Sequence, residues 1–82
     1  MDKGKVQERV IKVVSNVLKV DPAMVEPTSN FVFDLGAEST QSVELVAGFE
    51  TEFGIELDED AALAVQTVDE AAEFIWQHVK DR

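Results

Sequence analysis

The chain has no cysteine, only two prolines and, from residue 20 to residue 79, not one lysine or arginine. The first absence removes disulfides and thiolate metal sites, so a domain this small must draw its stability from packing. No apolar run approaches the roughly 20 residues needed to span a bilayer. The opening MDKGKVQERV lacks the apolar core of a secretory signal, so a cytoplasmic protein is expected. Eighty-two residues, 45% of them apolar, are enough for one packed domain over residues 1–82 and too few for a second core.

The missing bases are the most informative absence. Residues 1–19 hold five bases and two acids, whereas residues 20–79 hold fourteen acids and no base, within a net charge of −10. A surface of one sign repels nucleic acid and repels itself. Solubility accounts for a few such acids but not for the exclusion of every base. The distribution points to a surface that attracts basic partner proteins.

What is present reads as helix. Val6, Val10, Val13, Val14 and Val17 share one face of a first helix over about residues 3–19, which Asp21-Pro22 should stop. Residues 20–38 form a long connection, to be pinned by Phe31, Val32, Phe33 and Leu35 dropping onto the core. A second helix over about residues 39–53 should bury Ser42, Leu45, Val46, Phe49 and Phe53 and end at Gly54. A short helix over about residues 59–64 follows. The last helix opens on Thr67-Val68-Asp69-Glu70, a capping box, and buries Val68, Ala71, Ala72, Ile75 and Val79. The expected fold is all-α: a small four-helix bundle of three longer helices and one short one, with a long first loop.

Catalytic patterns are weak. The residues around Ser39 do not make a nucleophile elbow, because Ala37 and Gln41 stand where its glycines belong. His78 reads as a solvated residue of the last helix. Asp58-Glu59-Asp60 opens like a calcium loop, but Leu63 and Asp69 occupy the positions that need Gly and Glu. The triplet reads as a helix N-terminus complementing the helix dipole, with no metal site. Neither an enzyme nor a metalloprotein is expected.

Ser39 stands at the head of the second helix, where an N-cap is the ordinary reading. A capping box would then want Glu or Gln at position 42, and the residue is Ser42. From Ser39, Val43 and Ala47 run along the helix as an exposed small apolar stripe flanked by Glu44 and Glu50. Apolar contacts rimmed by acids suit docking to a basic partner.

The run FVFDLGAESTQSVELVAGFETEFGIEL, residues 31–57, resembles the central segment of acyl carrier proteins. Asp34, Leu35, Gly36, Ala37, Ser39, Val43-Glu44-Leu45 and Glu52-Phe53 match that family's pattern without a gap, and the helix order matches over nearly the whole chain. The resemblance implies that Ser39 carries a covalent 4′-phosphopantetheine arm, added from coenzyme A by a phosphopantetheinyl transferase. The arm's thiol would hold acyl intermediates as thioesters, as in fatty acid biosynthesis. It further implies a monomer that docks on basic patches of acyl-loading and acyl-processing enzymes through Glu38, Thr40, Val43, Glu44, Ala47, Glu50 and Glu56. Departures from the pattern suggest a specialised carrier. Glu38 and Thr40 flank the serine where Asp and Leu are usual, Ala47 replaces a common Met, Thr51 removes an acid, and Phe49 is bulkier than the usual aliphatic residue. A carrier of aminoacyl or polyketide intermediates, and an acidic adaptor that has lost the arm, are the alternatives.

Overall fold

Helix α1 spans Lys3–Leu18 in the computed structural model, which describes residues 1–82. Asp2 caps it, its carboxylate accepting the Lys5 N–H at 2.9 Å. Val6, Val10, Val13, Val14 and Leu18 are buried, while Val17 is only half-buried. The helix ends before Asp21-Pro22 can stop it. Lys19 takes the left-handed conformation, φ 58° and ψ 43°, and its N–H returns to the Ser15 carbonyl. Pro22 instead starts a 3₁₀ turn, Pro22–Met24, for which Asp21 is the cap.

The long connection is pinned, but less by side chains than expected. Phe31 is buried and Leu35 half-buried, whereas Val32 and Phe33 point outward at 55% and 88% exposure. The reason is a backbone turn that reverses the chain within these residues and leaves room on the core for only part of the apolar run. The rest of the pinning is main-chain. Asp69 N–H donates to Pro27 O at 2.8 Å, Val68 N–H to Ser29 O at 3.1 Å, and Phe31 N–H to Gln66 O at 2.9 Å. Buried Ser29 accepts the Glu26 N–H on its Oγ at 2.9 Å. The loop is thus laced to the start of the last helix, with one isolated antiparallel bridge between Asn30 and Thr67.

Helix α2 spans Ser39–Phe53 and buries Leu45, Val46, Phe49 and Phe53, with Ser42 half-buried at the edge. Gly54 closes it at φ +63°. Helix α1 crosses α2 closely at Gly48, where an added Cβ would lie 2.8 Å from Val13 Cγ1. Helix α3, Glu59–Leu63, is capped by Asp58, whose carboxylate accepts the Ala61 N–H at 3.0 Å, and it buries no residue fully. Helix α4, Val68–Val79, buries the five residues expected of it. Thr67 Oγ1 accepts the Glu70 N–H at 3.2 Å, and Glu70 reaches back to that hydroxyl at 3.1 Å rather than to a backbone N–H. Seventeen buried side chains from the long helices and the loops between them form one core. The architecture is the all-α four-helix bundle expected. No helix is long and apolar enough to cross a membrane.

Candidate functional site

The turn ahead of α2 is built from Asn30 outward. Its Oδ1 accepts the N–H groups of Val32 and Phe33, each at 2.9 Å. Its own N–H donates to Asp34 Oδ2 at 2.7 Å, and its carbonyl takes the N–H groups of Asp34 and Leu35 at 2.9 and 3.0 Å. Gly36 has φ +72° and donates to Val32 O at 3.1 Å; a residue with a Cβ resists that backbone. Ala37 is buried and donates to Phe31 O at 2.8 Å. The four residues Asp-Leu-Gly-Ala therefore contribute, in that order, a carboxylate acceptor, a core contact, a left-handed link and a small buried closure.

This turn delivers the chain to α2 with Glu38, not Ser39, at the cap. Glu38 has extended dihedrals, φ −90° and ψ 168°, and its N–H donates to Gln41 Oε1 at 3.0 Å. The Gln that a capping box wants is present, one position earlier than a serine cap would place it. Ser39 is consequently the first helical residue, and its hydroxyl is exposed and makes no hydrogen bond. The Ser39 and Thr40 N–H groups also have no partner in the chain. They lie at the positive end of the α2 dipole, where a phosphate is favoured. A free hydroxyl beside unpaired donors, with no competing carboxylate bonded to it, fits a phosphodiester.

The other candidate residues divide by position. At 100° per residue, Ser39, Val43 and Ala47 follow one another along α2, flanked by Thr40 and Glu44, and all five are exposed. Glu38 is exposed beside them. Glu50 is half-buried, and its carboxylate accepts the Leu57 N–H at 2.9 Å, tying down the chain beyond α2. Glu56 is exposed but lies outside α2, in the segment that follows the Gly54 cap. Glu52 is drawn away from this face altogether. Arg9 Nε meets its Oε2 at 2.8 Å, Lys12 Nζ lies 3.7 Å from Oε1, and the Arg9 guanidinium stacks 4.7 Å from the Phe53 ring centroid. The Arg9 hydrogen bond, opposed by partial burial and aided by Lys12, holds the Glu52 carboxyl below the usual carboxylate range.

One turn beyond Ser39, an apolar cleft of about 180 Å³ opens between α2 and α3. Leu45, Val46 and Phe49 line it from α2, Leu63 from α3, and Val32 from the turn. The sequence offered no direct signal for this cleft, because it depends on how far α3 stands off. His78 has its Nδ1 3.0 Å from the Phe74 carbonyl one turn back along α4, away from this site.

Residues 8–75 match the family described as the phosphopantetheine attachment site. The chain is 45% identical over 77 residues to an acyl carrier protein of Afipia carboxidovorans, covering 94% of this chain and 98% of that protein. It is 47% identical to one of Phenylobacterium zucineum, over 90% of this chain and 94% of the other. It is 46% identical to the mitochondrial acyl carrier protein 2 of Arabidopsis thaliana, over 95% of this chain, and spans 62% of that longer protein. Members of this family are carriers rather than catalysts, and phosphopantetheine is their cofactor. A free serine hydroxyl leading α2, a shaped turn behind it and this breadth of identity agree: the chain belongs to the acyl carrier protein family.

Proposed function

We propose that Ser39 is the attachment residue and that the whole chain works as one carrier domain. The observation that carries this is the Ser39 hydroxyl, exposed and unbonded at the head of α2 beside two unpaired N–H groups. Ser39 Oγ would hold the phosphodiester, with the Ser39 and Thr40 N–H groups and the helix dipole stabilising its charge. The bound arm supplies the thiol that a chain without cysteine lacks, and that thiol holds the cargo as a thioester. The Asn30-centred turn fixes where the arm leaves the surface. Glu38, Thr40, Val43, Glu44 and Ala47 surround that point and form the docking face for basic patches on the transferase and on acyl-handling enzymes. Glu50 and Glu56 play a smaller part, one having its carboxylate bonded to the Leu57 N–H and the other lying outside α2.

The cleft of about 180 Å³ supports an apolar acyl cargo. A polar aminoacyl group would gain little there. Thr40, a polar side chain beside the attachment point, supports a specialised carrier with a narrowed set of partners. The cytoplasm is one setting and the mitochondrion, which the plant relative's name gives, is the other; microscopy of the tagged chain in its own cells separates the two.

The deciding experiment is intact mass spectrometry after incubation with coenzyme A and a broad-specificity phosphopantetheinyl transferase. One phosphopantetheine is gained by the wild type and none by Ser39→Ala. A gain that persists in Ser39→Ala moves the arm elsewhere, and no gain with several transferases leaves the arm-free adaptor.

A further inference from the structure

Phe33 is 88% exposed and its neighbour Val32 is 55% exposed. These two side chains are not on a loose loop. Asn30 Oδ1 holds both of their N–H groups at 2.9 Å, and the Gly36 N–H closes the turn on Val32 O at 3.1 Å. An aromatic ring displayed on a fixed turn loses little freedom when a partner covers it, which is the property of a binding anchor. Val32 also lines the mouth of the α2–α3 cleft with Leu63, itself 41% exposed. The apolar surface therefore runs from the tip of the turn to the rim of the cleft, with the exposed acids Asp34 and Glu38 along the same turn.

We propose that Val32 and Phe33 form a second anchor, separate from the α2 stripe. It seats in an apolar socket, rimmed by Lys or Arg, on the phosphopantetheinyl transferase that acts at Ser39. This rests on Ser39 being the attachment residue. Position argues for that occupant. Phe33 stands six positions before Ser39, a reach of at most about 20 Å, and the Gly36–Val32 bond shortens it. A transferase interface of ordinary size covers about 800 Å² of its partner. Centred on Ser39, such a footprint reaches the turn. Charge argues for the basic rim and against two other occupants. A second copy, also at −10, and an anionic lipid surface are both repelled from a turn edged by acids.

The test begins with binding in the absence of chemistry. Ser39→Ala carrier is titrated by calorimetry into a broad-specificity phosphopantetheinyl transferase, with and without Phe33→Ser. The expected result is Kd raised about tenfold by Phe33→Ser and further by the Val32→Ser/Phe33→Ser pair. Met24→Ser, which removes another exposed apolar side chain (71%) outside this turn, leaves Kd unchanged. With Ser39 restored, Phe33→Ser raises KM for the carrier by a similar factor and leaves kcat unchanged. Phe33 is exposed, so thermal melting of the variants should match the wild type. An unchanged Kd in Phe33→Ser overturns the anchor, and so does an equal loss in Met24→Ser. Sedimentation showing a wild-type dimer that Phe33→Ser dissociates assigns the patch to a second copy and overturns it too. Modification of the wild type with indifference to Phe33 rejects only the anchor. Failure to modify the wild type rejects the attachment reading and the anchor together.

Discussion

Arg9 Nε meets Glu52 Oε2 at 2.8 Å, and the same guanidinium donates to the Glu52 carbonyl, so one side chain of α1 grips both the side chain and the backbone of α2. The pair sets a pH dependence. Because Glu52 is held below the usual carboxylate range in the fold, the unfolded chain binds more protons than the folded one in acid. Its stabilisation is complete above the unfolded carboxyl value and is lost as pH falls through the folded value. Arg9→Leu removes a charged hydrogen bond of about 2 kcal/mol. Chemical denaturation at neutral pH should show that loss. Glu52→Gln should flatten the acid limb of stability against pH, and an unchanged limb would assign that limb to other carboxylates.

Gly48 should resist even alanine. The substitution favours helix by about 1 kcal/mol, but its Cβ would sit 2.8 Å from Val13 Cγ1. Overpacking of this kind costs about 1–3 kcal/mol, so Gly48→Ala is expected to lower Tm. Adding Val13→Ala opens the same space and should make the glycine substitution stabilising against the Val13→Ala background. Equal effects of Gly48→Ala in both backgrounds would show that the helix crossing is not the constraint.

Lys19 and Gly36 form a contrasting pair, since both have positive φ, 58° and +72°. Lysine in the left-handed region is strained by roughly 1 kcal/mol, so Lys19→Gly should raise Tm by a few degrees. Gly36→Ala introduces the same strain without a clash, because nothing lies within 4 Å of its Cβ. Its Tm should fall by a few degrees. Opposite signs in differential scanning calorimetry check both.

Charge should act on stability and on docking separately. The fourteen acids of residues 20–79 have few partners, so added salt at neutral pH should raise Tm by screening their repulsion. Glu44→Lys should slow association with the transferase and flatten its salt dependence. Asp2→Lys should do neither. A Tm that falls with salt would mean that pairs such as Arg9–Glu52 outweigh the repulsion.

The residues differ in how openly they declare their role. Asp34, Leu35, Gly36 and Ala37 are legible because each meets a requirement that few residue types satisfy. The cap of α2 lies one residue earlier than the sequence suggests, since serine is the commoner cap and Glu38 hides the frame. Gln41 is the signal that could have placed it, as it pairs with position 38 and not with position 39. The pins on the long loop come from the carbonyls of Pro27, Ser29 and Gln66. Every residue type offers a carbonyl, so no side chain announces such bonds. Phe33 is the opposite case: an aromatic next to Phe31 reads as core, and only the hydrogen bonds to Asn30 turn it outward.

Helix α3 has no fully buried residue. It is held by its Asp58 cap and by the half-buried Ala62, with Leu63 at the cleft rim. Its opening free energy must therefore fall far short of that of the whole fold. Amide protons of Ala62, Ala64 and Val65, bonded only to Asp58, Asp60, Ala61 and Ala62, should exchange with solvent through a local excursion while those of α1 and α4 stay protected. Each excursion unhinges one wall of the cleft and leaves the other three helices standing, so the volume beside Ser39 is a fluctuating quantity and not a fixed one.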